Sequence, residues 1–426
     1  MKRFYIHTLG CPKNQVDSSS LCSAMTDGGL LETDAPEDAD FILVNTCGFI
    51  EEAKEESIEH ILEIIERKSP GQKAIVFGCL AQRYREELRR ELPEVDAIFG
   101  VESFHEILEF IKLWGNNSVA DRTLSHRERS SSYAYLKIAE GCNRRCTFCV
   151  IPSIRGALRS YPPERVLEEA RRLVEEGVKE IILVAQDITS YGLDRGGFKL
   201  HQLVREMASI EGEFWIRLLY LYPSMIDDEL MEVIREEDKV CPYLDIPVQH
   251  SEERILRLMG RGGSSETFKE LFQRLREGIP GVVLRTTVIV GFPSETDEEF
   301  ERLLDFVKEV GFDRLGVFRY SREEGTEAYR MKGHIPEEVK WERYHEVMKT
   351  QAEISYKKNL TLINRKFQVL TDGIDGDMVI ARYYGQAPEI DGIVIIDGLG
   401  EGIRPGRFVD VRITDADEYD LRAEVV

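Results

Sequence analysis

Short apolar runs of strand length alternate with longer segments of helical periodicity through the first 115 residues. This alternation predicts a parallel sheet covered by helices, because each helix carries the chain back to the start of the next strand. The predicted strands are 3–9, 41–45, 74–77 and 97–99, and the predicted helices are 15–27, 51–68, 82–91 and 103–113.

The alternation resumes after a polar segment at 116–132, which we interpret as a linker. The predicted strands are 133–139, 180–185, 215–220, 243–248, 283–290 and 314–318. The predicted helices are 163–176, 227–237, 266–277 and 297–310, and a charged helix follows at 337–361. Strands separated by helices in this way predict a (β/α)6-type full or partial TIM barrel, in which chemistry lies at the C-terminal ends of the strands.

The last segment has a different pattern, in which short alternating strands are broken by Gly-rich turns. Its predicted strands are 367–371, 378–381, 393–396, 408–413 and 421–425. This pattern is typical of a small antiparallel β-barrel. We therefore predict an α/β multidomain protein with domains at 1–118, 130–360 and 361–426.

The formal net charge of −22 disfavours long-range attraction to nucleic acid and favours a basic partner. Residues 361–426 hold 7 Lys and Arg against 13 Asp and Glu, a local charge of −6, whereas an oligonucleotide-binding barrel should be basic. The alternative is that the acidic residues only keep the surface solvated. We expect no membrane span and no secretory signal, and hence a cytoplasmic protein whose eight Cys are metal ligands or buried thiols.

Three Cys stand close together as C-x3-C-x2-C, at Cys142, Cys146 and Cys149. Thiolates are the usual protein ligands of iron-sulfur clusters, so this spacing supplies three ligands for four irons. One iron would keep an open position, as a catalytic metal site requires. The alternative is a structural zinc site, which normally has a fourth Cys or His nearby, and no His lies between His126 and His201.

Three further Cys each follow one of the predicted strands of the first domain, at Cys11, Cys47 and Cys79. The carboxyl ends of parallel strands meet at one edge of a sheet, where ligands bind in open α/β folds. We therefore expect the fold to bring these thiols together, although each alone could be a small buried hydrophobe. A Gly adjoins each of them, which we interpret as room for a bulky inorganic group. Cys22 and Cys241 have no partner motif and are interpreted as core thiols.

Polar residues follow several strands of the predicted barrel. Gln186 and Asp187 follow the second strand and Tyr222 the third. Gln249 and His250 follow the fourth, and the segment 291–296 follows the fifth. Each signal alone is weak, since such residues are often structural. Together with the C-x3-C-x2-C loop on the first strand they outline a pocket.

Several motifs together resemble the radical-SAM methylthiotransferase family. They are GCPKN at 10–14, NTCGFI at 45–50, GC at 78–79, the C-x3-C-x2-C loop followed by IPSIRG at 151–156, and GFPSET at 291–296. The resemblance covers essentially the whole chain. It implies a methylthiotransferase N-terminal domain, a radical-SAM domain and a C-terminal TRAM domain.

The resemblance also implies the cofactors, two 4Fe-4S clusters and S-adenosylmethionine. Cys142, Cys146 and Cys149 would hold the cluster that generates a 5′-deoxyadenosyl radical, which removes a hydrogen from an unactivated carbon. Cys11, Cys47 and Cys79 would hold an auxiliary cluster that presents the sulfur, with the methyl group coming from a second S-adenosylmethionine. The expected S-adenosylmethionine contacts are Phe148, Gln186, Asp187, Arg285 and Gly291.

Two branches of the family differ in target. The forms CPKN around Cys11 and GFI after Cys47 resemble the branch that modifies the β-carbon of an aspartate in ribosomal small-subunit protein 12; tRNA enzymes typically carry QMN and an Arg there. The expected partners are that basic protein and a low-potential electron donor such as flavodoxin or ferredoxin, with tRNA disfavoured. The alternatives are a tRNA adenosine methylthiotransferase and a non-enzymatic iron-sulfur carrier.

Overall fold

The first domain is built on a parallel sheet whose central strand is apolar on both faces. The computed structural model describes residues 1–115, 124–126, 132–398 and 404–426. The sheet order is β2-β1-β3-β4-β5. Its strands are β1 (Arg3–Thr8), β2 (Leu31–Glu32), β3 (Phe41–Thr46), β4 (Lys73–Gly78) and β5 (Ala97–Ile98). The predicted parallel α/β sheet is confirmed; β2 escaped prediction because two residues carry no periodicity.

Two helices of this domain begin closer to a Cys than the sequence pattern indicated, at residue 12 instead of 15 and at residue 79 instead of 82. They are α1 (Pro12–Asp27), α2 (Glu51–Arg67), α3 (Cys79–Arg83), α4 (Arg85–Glu91) and α5 (Phe104–Gly115). The segment expected as one helix at 82–91 is two helices that meet at Tyr84, whose φ of −125° and ψ of 34° are not helical. Cys79 is consequently the first residue of a helix rather than a loop residue.

The central domain is an open sheet in which six parallel strands follow chain order, with a short antiparallel strand at one edge of the described part. The six are β7 (Tyr133–Lys137), β10 (Glu180–Val184), β11 (Trp215–Leu218), β12 (Val240–Asp245), β13 (Val283–Val290) and β14 (Arg314–Arg319). The others are β6 (Ser125–His126) at the edge and the pair β8 (Ala139–Glu140) and β9 (Arg159–Ser160). The partial-barrel alternative is thus the correct one for the described residues. The rest of the predicted linker, 116–123 and 127–131, lies outside them.

Helices cover the outer face of this partial barrel. They are α7 (Pro163–Glu175), α8 (Leu200–Ala208), α9 (Asp228–Glu236), α10 (Glu253–Leu258), α11 (Ser265–Gly278), α12 (Asp297–Val310) and α13 (Glu337–Leu360), whereas the short helix α6 (Ile151–Arg155) directly follows the C-x3-C-x2-C loop. Helices α6 and α10 were not predicted because fewer than two turns give no readable period. Helix α8 was missed although it does bury Leu200, Leu203, Val204 and Met207 at helical spacing. No helix within the described ranges combines the length and apolar character needed to cross a membrane.

The third domain is a closed barrel with strand order β15-β16-β17-β19-β18. Its strands are β15 (Lys366–Asp375), β16 (Met378–Tyr383), β17 (Val394–Asp397), β18 (Phe408–Ala416) and β19 (Leu421–Val425). Four of the pairings are antiparallel as expected, but β17 and β19 run parallel. A ring of five strands cannot alternate in direction all the way round, so one parallel pair is unavoidable.

This barrel packs against the N-terminal ends of the central strands. Arg382 donates hydrogen bonds to Glu180 and to Asp372, each at 2.6 Å, and Glu180 also accepts one from Arg217. Glu180, Arg217 and Arg382 are almost completely buried, so their charges are compensated by one another and by Asp372 rather than by solvent. The third domain therefore closes one end of the partial barrel and leaves the C-terminal strand ends free to form a site.

Candidate active site

The three dispersed Cys of the first domain are brought together at the carboxyl edge of its sheet. Cys11 immediately precedes α1, Cys47 follows β3 and Cys79 begins α3 directly after β4. The neighbouring glycines lie where the loops pack tightly against one another. A Cβ on Gly10, at φ +91°, would lie 2.7 Å from Cys47 Cβ, and one on Gly78, at φ +101°, would lie 2.4 Å from Asn45 Oδ1. These glycines allow the loops to pack against one another, which sets the spacing of the thiols.

The C-x3-C-x2-C loop is held in place by backbone hydrogen bonds to the rest of the central domain. The Cys142 N–H donates to Gly156 O at 3.1 Å, and the Thr147 N–H donates to Met259 O at 2.9 Å. Arg261 approaches Cys146 Sγ at 3.8 Å. The loop thus presents its thiols from a fixed backbone rather than from a free surface segment.

Both thiol sets face a single cavity between the first domain and the C-terminal strand ends of the central domain. The cavity encloses about 1720 Å³, part of it open to solvent. Its lining includes all six of the site Cys, namely Cys11, Cys47, Cys79, Cys142, Cys146 and Cys149. The eight Cys of the chain are all unbridged, so these thiols are available as ligands.

The donor set suits iron-sulfur clusters. Each set consists of three Cys sulfurs, the ligand type that such clusters select. In the described part of the chain, no group of three or more His, Cys, Asp or Glu is arranged to hold a single metal ion. A four-iron cluster is much wider than a single metal ion, so its Cys ligands lie farther apart than those of a one-ion site. Two sets of three Cys that line one large cavity therefore fit two clusters.

Positive charge favours anionic sulfur at Cys11, whereas burial raises the pKa of the other two first-domain thiols, Cys47 and Cys79. Burial raises the pKa of Cys11, but Lys13, Arg155 and the backbone N–H groups of Asn14 and Lys13 outweigh burial and lower it overall. For Cys79 burial dominates and raises the pKa to about 12, against the opposing effect of Arg155. Burial also raises the pKa of Cys149 to about 12. Loading iron at these thiols must therefore displace protons.

Arg155 connects the two thiol sets through a buried cluster of charges. It donates to Glu140 at 3.0 Å and to Asp17 at 3.1 Å, and its other nitrogen donates to Asn14 at 2.6 Å and approaches Cys79 Sγ at 3.5 Å. Lys137 donates to the same two carboxylates, at 2.8 Å to Glu140 and more closely to Asp17. Since Asp17 and Asn14 belong to α1 and the others to the central domain, the cluster fixes the relative position of the domains at the cavity.

Three of the five expected S-adenosylmethionine contacts line the cavity: Phe148, Gln186 and Asp187. Asp187 accepts hydrogen bonds from Arg144 at 2.9 Å, from Ser190 at 2.7 Å and from Thr189. These partners hold its carboxylate in one orientation at the end of β10.

The other two expected contacts, Arg285 and Gly291, lie outside the cavity lining. Arg285 is near the start of β13, where it pairs with Asp245 at 2.7 Å and approaches Asp391 of the third domain at 3.8 Å. The Gly291 N–H donates to Glu295, and a Cβ there would meet Lys340 of α13. The strand that carries Arg285 was predicted correctly, but the sequence pattern did not show how far this residue lies from the C-terminal end of the strand.

Several lining residues had no assigned role. Tyr222 stacks between Arg144 and Arg261, whose guanidinium carbons lie 3.8 Å and 4.5 Å from its ring centroid. Gln249 has φ +73° and a buried Oε1 without a hydrogen-bond partner within the described structure. Tyr222 and Gln249 were recognisable only as polar strand ends, and Lys13 only as part of a motif.

Comparison with known proteins agrees with this architecture. Residues 136–307 match the family model of the Radical SAM superfamily, 363–426 that of the TRAM domain and 3–100 that of Uncharacterized protein family UPF0004. The radical S-adenosylmethionine methyltransferase TsrM from Kitasatospora setae has a similar fold, with a TM-score of 0.56 at 14% identity over 75% of this chain and 73% of that one. The fold and site therefore define a three-domain radical-SAM enzyme.

The particular family follows from full-length relatives. The chain is 52% identical to "Ribosomal protein uS12 methylthiotransferase RimO" of Thermodesulfovibrio yellowstonii over 100% of both chains. It is 48% identical to the protein of the same name from Geobacter sulfurreducens, over 98% of this chain and 97% of that one. The chain belongs to the RimO family of radical-SAM methylthiotransferases, which confirms the predicted family and fold class, and its cofactors are S-adenosylmethionine and 4Fe-4S clusters.

Proposed function

We propose that this protein attaches a methylthio group to the β-carbon of an aspartate in ribosomal protein uS12. The observation that carries the proposal is that two sets of three unbridged Cys open into one cavity. A protein that only carries electrons or clusters does not need two clusters that each have three protein ligands and share one cavity. A reaction that joins a radical to a sulfur does need that arrangement.

In this proposal Cys142, Cys146 and Cys149 hold one cluster, and Cys11, Cys47 and Cys79 hold the other. Bound there, the cofactors supply a carbon radical by one-electron cleavage of S-adenosylmethionine at the first site and a sulfur acceptor at the second. Phe148, Gln186 and Asp187 contact S-adenosylmethionine from the cavity wall.

The protein's own contribution is to fix distances and exclude water. The charge cluster around Arg155 ties the first domain to the central domain at the cavity, so that the two thiol sets keep one separation. Ordering reactants in this way replaces an encounter in solution with a prepositioned step. The third domain closes the opposite end of the partial barrel, so the substrate enters from the open side of the cavity.

The reaction also consumes an electron that the chain does not generate. We propose a low-potential protein donor such as flavodoxin or ferredoxin, because one-electron cleavage of a sulfonium requires a strong reductant. Dithionite replaces this donor in the assays below, so none of them depends on its identity.

The preference for a basic protein over tRNA rests on charge. The net charge of −22 and the −6 of residues 361–426 create a field that attracts a basic ribosomal protein and repels phosphate. On the third domain, Asp375 and Asp377 are exposed at the turn between β15 and β16, where a partner can reach them.

Neutralising that turn should weaken binding of uS12. We expect the variant Asp375→Asn/Asp377→Asn to bind uS12 about three- to tenfold more weakly at low salt, since exposed ion pairs contribute up to about 1 kcal/mol each. Added salt should reduce the difference because these charges are screened. Binding is measured by fluorescence anisotropy with labelled uS12.

The matched control is Glu87→Gln/Glu270→Gln, which removes the same charge from exposed positions on α4 and α11. Equal weakening in both variants would assign the effect to net charge rather than to the third domain. Binding of tRNA as tight as that of uS12 would favour the tRNA-modifying alternative.

A further inference from the structure

Lys13 places a buried positive charge in the cavity. The residue is 6% exposed, and Nζ lies 3.9 Å from the ring centroid of Tyr220, two residues after the end of β11. The side chain therefore reaches from the first domain to the central domain. Within the described ranges, no carboxylate or other hydrogen-bond acceptor contacts Nζ.

The other cations of the cavity wall are already engaged. Arg144, Arg155 and Arg319 are paired with carboxylates of the described structure. Arg261 donates to Pro247 O at 2.7 Å. Lys13 is thus the cavity cation left with its hydrogen-bonding capacity unused in the described part of the protein.

The Lys13 ammonium faces the cavity, and the aromatic face of Tyr220 compensates only part of the hydration that it loses there. The charge of Lys13 and its position on the cavity wall beside Tyr220 point to an anionic ligand at Nζ.

The position of Lys13 on the cavity wall indicates which anion it would bind. Lys13 is two residues from Cys11, and its ring partner Tyr220 is two residues from Tyr222, on which Arg144 of the other Cys loop stacks. Lys13, Tyr220 and Tyr222 all line the cavity that both thiol sets line, where the proposed reaction joins carbon to sulfur. The carboxyl carbon of the target aspartate is bonded directly to the reacting β-carbon, so holding the carboxylate holds the reacting atom.

We propose that Lys13 binds the side-chain carboxylate of the target aspartate and so determines the substrate class. The inference rests on the proposed function and extends it to a residue. An asparagine, or a neutral base such as adenine, leaves the ammonium without its anion, and a site built around one charged hydrogen bond rejects such analogues strongly.

The test is a double-mutant cycle between enzyme and substrate. Peptides of uS12 carrying the target Asp, or Asn in its place, are bound to the cluster-loaded full chain. The wild type should prefer Asp about 10- to 100-fold, the range of a hydrogen bond between charged groups. Lys13→Gln should reduce the preference to about twofold, whereas Lys13→Arg should keep most of it. Arg319→Gln removes a cavity cation that already has partners, and should leave the Asp-to-Asn ratio unchanged.

An Asp preference that is absent from the wild type, or equal in wild type and Lys13→Gln, would overturn the inference. Loss of iron from both Lys13 variants would overturn it too, because Lys13 would then support a cluster rather than the substrate. Methylthiolation of the Asp peptide is followed separately. Lys13-dependent binding of a peptide that is never modified would refute the proposed function and leave the role of Lys13 intact.

Discussion

Replacing Cys142, Cys146 and Cys149 with Ala should abolish formation of 5′-deoxyadenosine. Without these thiolates the first cluster has no protein ligands, and no electron reaches S-adenosylmethionine. Iron content after anaerobic reconstitution should fall from about eight to about four per chain. The measurements are iron per chain and 5′-deoxyadenosine formed with dithionite, and methylthiolation of uS12 should vanish with it.

The matched control is Cys22→Ala/Cys241→Ala. Both Cys lie outside the cavity lining, with Cys22 within α1 and Cys241 buried on β12. This control should load as much iron as the wild type and cleave S-adenosylmethionine at the same rate. A cavity variant that still forms 5′-deoxyadenosine, or a control that loses half of its iron, would refute the assignment.

Replacing Cys11, Cys47 and Cys79 with Ala should separate the two halves of the reaction. Iron should again fall to about four per chain, but the Cys142 loop keeps its backbone anchors at Gly156 and Met259. We therefore expect 5′-deoxyadenosine formation to persist while methylthiolation is lost, because the radical would form with no sulfur to meet.

Persistence of 5′-deoxyadenosine also serves as the folding control for this variant, since a collapsed protein would lose both activities. Iron content unchanged from the wild type would show that these three Cys are not ligands. Methylthiolation at the wild-type rate would show that the sulfur comes from elsewhere.

The sequence allowed prediction of those features that depend on local pattern. The strand ends that carry Cys11, Cys47 and Cys79 follow from apolar runs such as Phe41–Thr46, and their meeting at one edge follows from parallel strand direction. The spacing of the Cys142 loop is itself local. For these reasons both thiol sets are predictable from the amino-acid sequence alone.

The remaining features depend on the position of each residue along its strand and on contacts between distant parts of the chain. Arg285 was expected at the cofactor, but its position near the start of β13 places it beside Asp245 and the third domain. The role of Lys13 depends on Tyr220, more than 200 residues away in the chain. Neither relation has a periodic signature, because both depend on contacts between residues far apart in the chain.

The most direct test of the central claim is mass analysis of uS12 after anaerobic reaction with the reconstituted enzyme, S-adenosylmethionine and dithionite, with tRNA treated in parallel. We expect a methylthio group in place of one hydrogen on a single aspartate of uS12, absent when either Cys set is replaced, and no change in tRNA. An unmodified uS12 together with methylthiolated adenosine in the tRNA would contradict it.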